Sequence, residues 1–374
     1  MPSARRRVLL LVPSFAGGAG GAEHVFSILL RHLDRRLFEL HIAVAQGRHS
    51  HLKDIPDDVC VHDLHVSRMR YALPRIVSVA WKVRPQTILS TVSYLNAMLM
   101  LAKPFLPRGA KLLLREATTP SAFILQESSH PRFWTWAYRH LYKRADRIIC
   151  LSDAMLSELV ERFGLPRAKL VRIYNPVDAE SVRRLAIEAR NPYSGEGPHL
   201  VTAGRLQRPK GLDVLLDAMP QVMEELPNAK LAVLGEGPLE PELKNQARML
   251  GVAQAVTFLG FQQNPWPYMK HADLFVLPSR FEGLPNALLE ALVLGKAVIA
   301  SDCPGGVREI QASFPNVLLV PPENPAALAE GIIRMCRSPH EAKSSKQATE
   351  DPDSFDLQVA IKKYTDALLE IPES

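Results

Sequence analysis

The chain is short of cysteine, of membrane-length apolar runs and of low-complexity sequence, and each shortage removes a class of protein. Its 374 residues hold four cysteines, Cys60, Cys150, Cys303 and Cys336, far apart and in no Cys-x-x-Cys or Cys/His cluster. Such spacing gives neither a zinc site nor a disulfide framework, and it suits a reducing cytoplasm. No uninterrupted apolar run approaches the roughly 20 residues needed to cross a bilayer. Arg5-Arg6-Arg7 ahead of Val8–Val12 has the outline of a signal peptide, but Pro13 cuts the run short and residues 17–22 read as a loop. No glycine run leads into Gly-Lys-Ser/Thr, which excludes a P-loop, and no nucleic-acid-binding motif is found. No internal repeat is seen.

What is present is ordinary globular composition, 47% hydrophobic and 22% charged, in a length that suggests two domains. The net charge of +6 is unevenly spread. The first 190 residues carry 29 basic and 16 acidic side chains, the remainder 16 and 23. A basic first half points to an acidic partner or to a solvated basic surface.

Short apolar runs alternate with helical spacing. Val8–Val12, Leu40–Ala45, Thr87–Ser90, Lys111–Arg115 and Arg147–Leu151 read as strands. Helices are expected over Ala22–Leu33 and from Ser152 or Asp153 to Phe163, stopped by Gly164. The turn-rich run Asn191-Pro-Tyr-Ser-Gly-Glu-Gly-Pro198 reads as a linker, after which the alternation restarts. Strands are expected at His199–Ala203, Lys230–Leu234, Val256–Leu259, Leu274–Leu277 and Ala297–Ser301, with helices between them. The expected fold is α/β, with two Rossmann-like doubly wound domains facing a central cleft. Residues 1–190 form the first, 191–352 the second and 353–374 a closing helix. The acidic pair of Asp351-Pro352-Asp353 lies in a polar tail and reads as surface, not as a metal site.

Four loops carry chemistry. Gly17-Gly18-Ala19-Gly20-Gly21 follows the first strand and precedes a helix, a place where backbone N–H groups meet anions. Arg205 and Lys210 stand just past the strand His199–Ala203, where a fork of donors and a point charge can stabilise a diphosphate leaving group. Glu282 and Glu290 bracket a turn and a helix start at Gly283-Leu284-Pro285-Asn286, spanning roughly 12 Å if helical. One carboxylate can hold sugar hydroxyls and the other ribose hydroxyls. Pro304-Gly305-Gly306 follows Ala297–Ser301; alone, it is equally a plain loop.

In order along the chain these pieces resemble the retaining glycosyltransferases of the GT-B fold, family 4. The resemblance rests on Gly20-Gly21-Ala22-Glu23, Tyr174-Asn175-Pro176-Val177-Asp178, Gly204-Arg205 with Lys210-Gly211, and Leu234-Gly235-Glu236-Gly237-Pro238. It continues through Phe258-Leu259-Gly260-Phe261, Glu282–Glu290 and Pro304-Gly305-Gly306. It implies transfer of a hexose or N-acetylhexosamine from a nucleotide-diphosphate sugar, a UDP-sugar by expectation, to a saccharide acceptor in polysaccharide or glycolipid biosynthesis. By that resemblance Arg205 and Lys210 bind the diphosphate, Glu290 the ribose, and Glu282 with Gly283, Leu284, Pro285 and Asn286 the sugar. Gly20 and Gly21 face the phosphates, residues near Phe261 receive the base, and no metal or other cofactor is required. A histidine that many relatives carry after an N-terminal strand is absent. The matching loop begins at Arg115-Glu116, two candidate acceptor contacts.

Trp81-Lys82-Val83-Arg84 and Arg132-Phe133-Trp134-Thr135-Trp136-Ala137-Tyr138-Arg139 mix cations with aromatics. The mixture suits an anionic membrane face and a lipid-linked acceptor, such as an undecaprenyl-diphosphate saccharide or a lipopolysaccharide core, or else a core. The protein is therefore expected in the cytoplasm, peripheral on the membrane. Two rivals share the fold: a nucleotide-sugar 2-epimerase and a non-catalytic nucleotide-sugar-binding protein.

Overall fold

The computed structural model describes residues 5–14, 20–46, 55–66, 71–188, 190–338 and 355–370. The chain forms two compact units, Met1–Pro176 with Leu357–Ser374, and Val177–Asp356.

The first unit holds a seven-stranded parallel sheet: β1 Arg6–Ser14, β2 Phe38–Gln46, β3 Cys60–Asp63, β4 Thr87–Thr91, β5 Lys111–Arg115, β6 Arg147–Cys150 and β7 Leu170–Arg172. Its order is β3-β2-β1-β4-β5-β6-β7. The winding reverses between β1 and β4, where Val8 pairs with Leu40 on one side and Thr87 on the other. Helices cover the sheet, so β4 is buried along its whole length and reads as a continuous run rather than an alternation. The sequence reading omitted β3 and β7. The first is a partly exposed edge strand and the second has only three residues.

The second unit repeats the plan with β8 His199–Ala203, β9 Lys230–Leu234, β10 Val256–Phe258, β11 Leu274–Leu277, β12 Ala297–Ser301 and β13 Val317–Val320. All pairs are parallel, in the order β10-β9-β8-β11-β12-β13. Here the winding reverses between β8 and β11, where Val201 pairs with Phe275. Leu200, Leu231, Val276 and Ile299 from the sheet pack with Leu215, Met219, Leu328 and Ile332 from the helices Leu212–Glu225 and Pro325–Arg337. The latter helix starts with Pro325 in its first turn and with the Asn324 side chain accepting the Ala327 N–H at 3.0 Å.

The boundary differs from the expected 190/191. The helix Ala179–Ile187, capped by Asp178, belongs to the second unit. Asn264 Nδ2 donates to its Leu185 carbonyl at 2.9 Å, and it packs on the helix Trp266–His271. The turn-rich run after residue 190 is also pinned down: the Tyr193 ring stacks on His199 and its hydroxyl donates to the Tyr268 carbonyl at 3.0 Å. Nor does the closing helix Leu357–Leu369 stand apart. It buries Ile361, Tyr364, Ala367 and Leu368 in the first core, and Arg6 Nη1 donates to its Leu368 carbonyl at 2.6 Å. The ends of the second unit meet, since Val177 and Asp356 form a parallel bridge. Asp351-Pro352-Asp353 lies outside the described residues.

Candidate active site

In the second unit the loops after β8, β9, β11 and β12 lie at the carboxyl ends of the strands, where ligands of doubly wound sheets bind. They are stitched together by backbone. Gly204 N–H donates to Leu234 O at 3.0 Å, Leu206 N–H to Glu236 O at 2.9 Å and Arg280 N–H to Pro209 O at 2.8 Å. Glu282 N–H donates to Pro304 O at 3.0 Å, and Gly306 N–H to Gly283 O at 2.9 Å. Glycine permits this closeness. Gly235 (φ +124°) and Gly305 (φ +121°) hold conformations that L side chains rarely adopt. A Cβ at either would stand 2.0 Å from a neighbouring loop's carbonyl oxygen, that of Gly204 or of Glu282. The paired glycine of the last loop is therefore a packing requirement, which resolves its ambiguity in the sequence.

A small cavity opens between β8 and β11, lined by Thr202, Gly204, Lys210, Leu277 and Ser279 among others. Lys210 Nζ lies 2.7 and 2.9 Å from the two Glu282 carboxylate oxygens. Ser279 Oγ donates to Glu282 Oε1 at 2.6 Å. The Glu282 side chain is 8% exposed and that of Lys210 30%, so the ammonium is the more accessible half of the pair. A buried carboxyl needs such hydrogen-bond partners to offset the loss of water. Arg205 is exposed on the same loop as Lys210.

The structure thus brings Lys210, Glu282 and the backbone of Gly283 together. Leu284 and Pro285 are buried, and Pro285 is the residue immediately before the helix Asn286–Val293. Glu290, inside that helix, is buried and accepts the Trp266 Nε1–H at 2.9 Å through Oε2. Phe261 is exposed, and its backbone N–H donates to Glu236 Oε1 at 3.1 Å. Ser279 and Trp266 are not singled out by the sequence, and Glu236 only as part of the Leu234–Pro238 motif. Arg280, also passed over, holds the loop from behind through Asp213 at 2.7 and 2.8 Å and Glu323 at 2.8 Å. Burial works against ionisation of Asp213, but Arg280 outweighs it and keeps the carboxyl below its ordinary value.

In the first unit Gly20 is extended and caps the helix Gly21–His32, its carbonyl accepting the His24 N–H at 3.1 Å. Gly17 and Gly18 lie outside the described residues. Arg115 and Glu116, the candidate acceptor contacts, are internal in the structure, at 1% and 0% exposure. Arg115 donates to Tyr364 OH at 3.0 Å, Thr91 Oγ1 at 3.1 Å and Asn175 Oδ1 at 2.5 Å. Glu116 accepts from Ser93 Oγ at 2.8 Å and Tyr142 OH at 2.6 Å. Both side chains are enclosed by groups of their own unit, which accounts for their placement away from a surface.

Burial raises the Glu116 carboxyl above its ordinary value near 4.5, with the Tyr142, Ser93 and Tyr138 hydroxyls pulling the other way. The folded chain then keeps a proton that the unfolded chain releases. This contribution to stability is full below the unfolded value and declines as pH rises through the folded one. Denaturant titrations from pH 4.5 upward should show a shallower decline for Glu116→Gln than for the wild type. Equal slopes would assign the pH dependence to other groups.

Comparison with known proteins identifies the family. Residues 19–181 match the family profile described as Glycosyltransferase Family 4, and residues 197–338 that described as Glycosyl transferases group 1. The chain is a group 1 glycosyltransferase of the family 4 type. This glycosyltransferase is an enzyme of glycan biosynthesis. It is 28% identical over 364 residues to the N-acetylgalactosamine-N,N'-diacetylbacillosaminyl-diphospho-undecaprenol 4-alpha-N-acetylgalactosaminyltransferase of Campylobacter jejuni, covering 94% of this chain and 96% of that protein. Its fold is GT-B, as in Anabaena HepE in complex with UDP and glucose (TM-score 0.76, 20% identity, 98% and 100% covered). A glycosyltransferase from Rickettsia africae is similar in fold (TM-score 0.74, 17% identity, 98% of each chain). Among the described residues, no helix is long and apolar enough to cross a membrane, and no group of three or more His, Cys, Asp or Glu could hold a metal.

Proposed function

We propose that the glycosyltransferase moves a hexose or N-acetylhexosamine from a UDP-sugar, with retention, to a lipid-linked saccharide at the cytoplasmic face of an anionic membrane. The observation that carries the donor half is the Lys210 ammonium against Glu282 at the reversal point of the second sheet. Arg205 and Lys210 take the diphosphate, Glu282 and Gly283–Asn286 the sugar, and Glu290 the ribose. The acceptor oxygen bonds to the anomeric carbon as the bond to the diphosphate breaks on the same face. The acceptor's proton passes to the departing phosphate. The two cations balance the charge that grows on the diphosphate and stand where a metal would otherwise be needed.

The lipid-linked acceptor is supported by the name of the Campylobacter jejuni relative, which includes diphospho-undecaprenol. It is also supported by the surface of the first unit. Phe133 (43%) and Trp136 (47%) are exposed, whereas Tyr138 is core, so the aromatic run divides between the two readings. Trp81 and Phe105 are exposed as well and joined by a 2.9 Å bond from the indole N–H to the Phe105 carbonyl. Lys82, Arg84, Arg132, Arg139, Lys143 and Arg144, in or near the same segments of the chain, are exposed as well. Cations beside exposed aromatics fit an anionic bilayer surface.

With an undecaprenyl-diphosphate saccharide in vesicles and EDTA present, the enzyme should turn over a UDP-sugar and leave an α-configured product from an α-configured donor. An inverted product, or loss of activity on chelation, would overturn the corresponding half of the proposal. Sedimentation with phosphatidylglycerol vesicles should exceed that with phosphatidylcholine. The pair Phe133→Ser and Trp136→Ser should weaken it roughly tenfold or more, from the apolar area lost. Equal sedimentation with both lipids would count against a membrane face.

A further inference from the structure

We propose that Trp266 is a positioning residue that sets the preference for a ribose over a deoxyribose nucleotide, an inference that rests on assigning Glu290 to the ribose. Its indole Nε1–H donates to Glu290 Oε2 at 2.9 Å. An indole N–H only donates, so it fixes the carboxylate's rotation while keeping it an acceptor. Vicinal ribose hydroxyls reach a carboxylate as donors, and an acceptor turned in advance meets them without a rotational cost. A glutamine or serine in place of Trp266 could instead accept, or turn away.

The indole is itself held. It opens the helix Trp266–His271, between Pro265, which restricts the backbone at the helix start, and the buried Pro267. At the other end Lys296 Nζ donates to the Lys270 and Ala272 carbonyls at 2.7 and 3.0 Å. The side chain is half-buried, and the short helix packs against both Ala179–Ile187 and Asn286–Val293. Trp266 therefore reaches Glu290 from a separate, braced element rather than from the helix that Glu290 occupies.

Calorimetric titration with UDP, GDP or ADP, whichever binds the wild type most tightly, and with its 2′-deoxy counterpart tests the proposal. The Trp266→Phe variant keeps an aromatic ring and loses the donor. It should bind the ribonucleotide about tenfold more weakly, with a smaller loss for the deoxy form, so the preference narrows. An equal loss for both nucleotides, or none, overturns the positioning role, since a structural defect would lower both alike. Glu290→Gln, measured in parallel, separates the two failures. If it narrows the preference and Trp266→Phe does not, Trp266 alone is wrongly assigned. If Glu290→Gln leaves the preference intact, the ribose assignment falls and the proposal with it.

Discussion

Lys210→Ala should lower kcat by roughly 10²- to 10³-fold, the usual cost of removing one preorganised group that stabilises charge in a transition state. Two losses combine. The departing diphosphate gives up a cation, and Glu282 gives up the ammonium that bridges both its oxygens at 2.7 and 2.9 Å. Because the two residues touch, their substitutions should not be additive. The double variant Lys210→Ala with Glu282→Gln should be little worse than the poorer single one. Steady-state kinetics with donor in excess, beside the thermal midpoint of each variant, separate catalysis from folding. A Lys210→Ala enzyme within about threefold of wild type would remove Lys210 from the leaving-group role.

Arg115→Ala should destabilise the first unit by about 3–5 kcal/mol, the range for emptying a large buried side chain. The guanidinium ties together three stretches far apart in sequence: the end of β4 at Thr91, Asn175 just ahead of Pro176 where the chain leaves the first unit, and Tyr364 of the closing helix. Its removal leaves a cavity and withdraws donors from buried oxygens. Tyr364→Phe removes only one hydroxyl and should cost about 1 kcal/mol. Arg115→Met, which restores most of the volume without donors, should fall between the two. Urea unfolding followed by circular dichroism checks the ranking. A loss below about 1 kcal/mol for Arg115→Ala would show that the clasp is not what holds the closing helix.

Much of this architecture was legible because buried parallel strands are continuous apolar runs. Leu274–Leu277 and Ala297–Ser301 were placed to the residue. Strand β13 was not, although Val317–Val320 is apolar, because the helix before it, Val307–Ser313, is too short to show a clear period and Pro315-Asn316 reads as a loop. The glycines, Lys210 and Glu282 stood out because they sit just past strand ends, and Glu290, inside the following helix, only by its spacing from Glu282. Ser279 and Trp266 left no such trace. Each acts through one hydrogen bond to a side chain whose partner is fixed by folding, and neither has a charge to draw notice. Arg115 and Glu116 misled in the opposite way. A pair of ionisable residues after a strand suggests a ligand, yet hydroxyls and an amide of the same unit satisfy both side chains inside. The domain boundary was displaced by the turn residues near 191–198, which mark a bend within the second unit rather than its start.

The bridge between Val177 and Asp356 gives the chain the topology of a cassette. The polypeptide leaves the first unit at Pro176 and returns at Leu357, and the two joints are paired neighbours. A segment whose ends meet can be excised and replaced without rethreading its host, which is why insertions are tolerated at such points. Recombination at these two joints would exchange Arg205, Lys210, Glu282 and Glu290 as one inherited block. The host would keep its own seven-stranded sheet and the helix that closes it. On the proposed assignment of the donor to the second unit, the sugar delivered could then diversify separately from its acceptor.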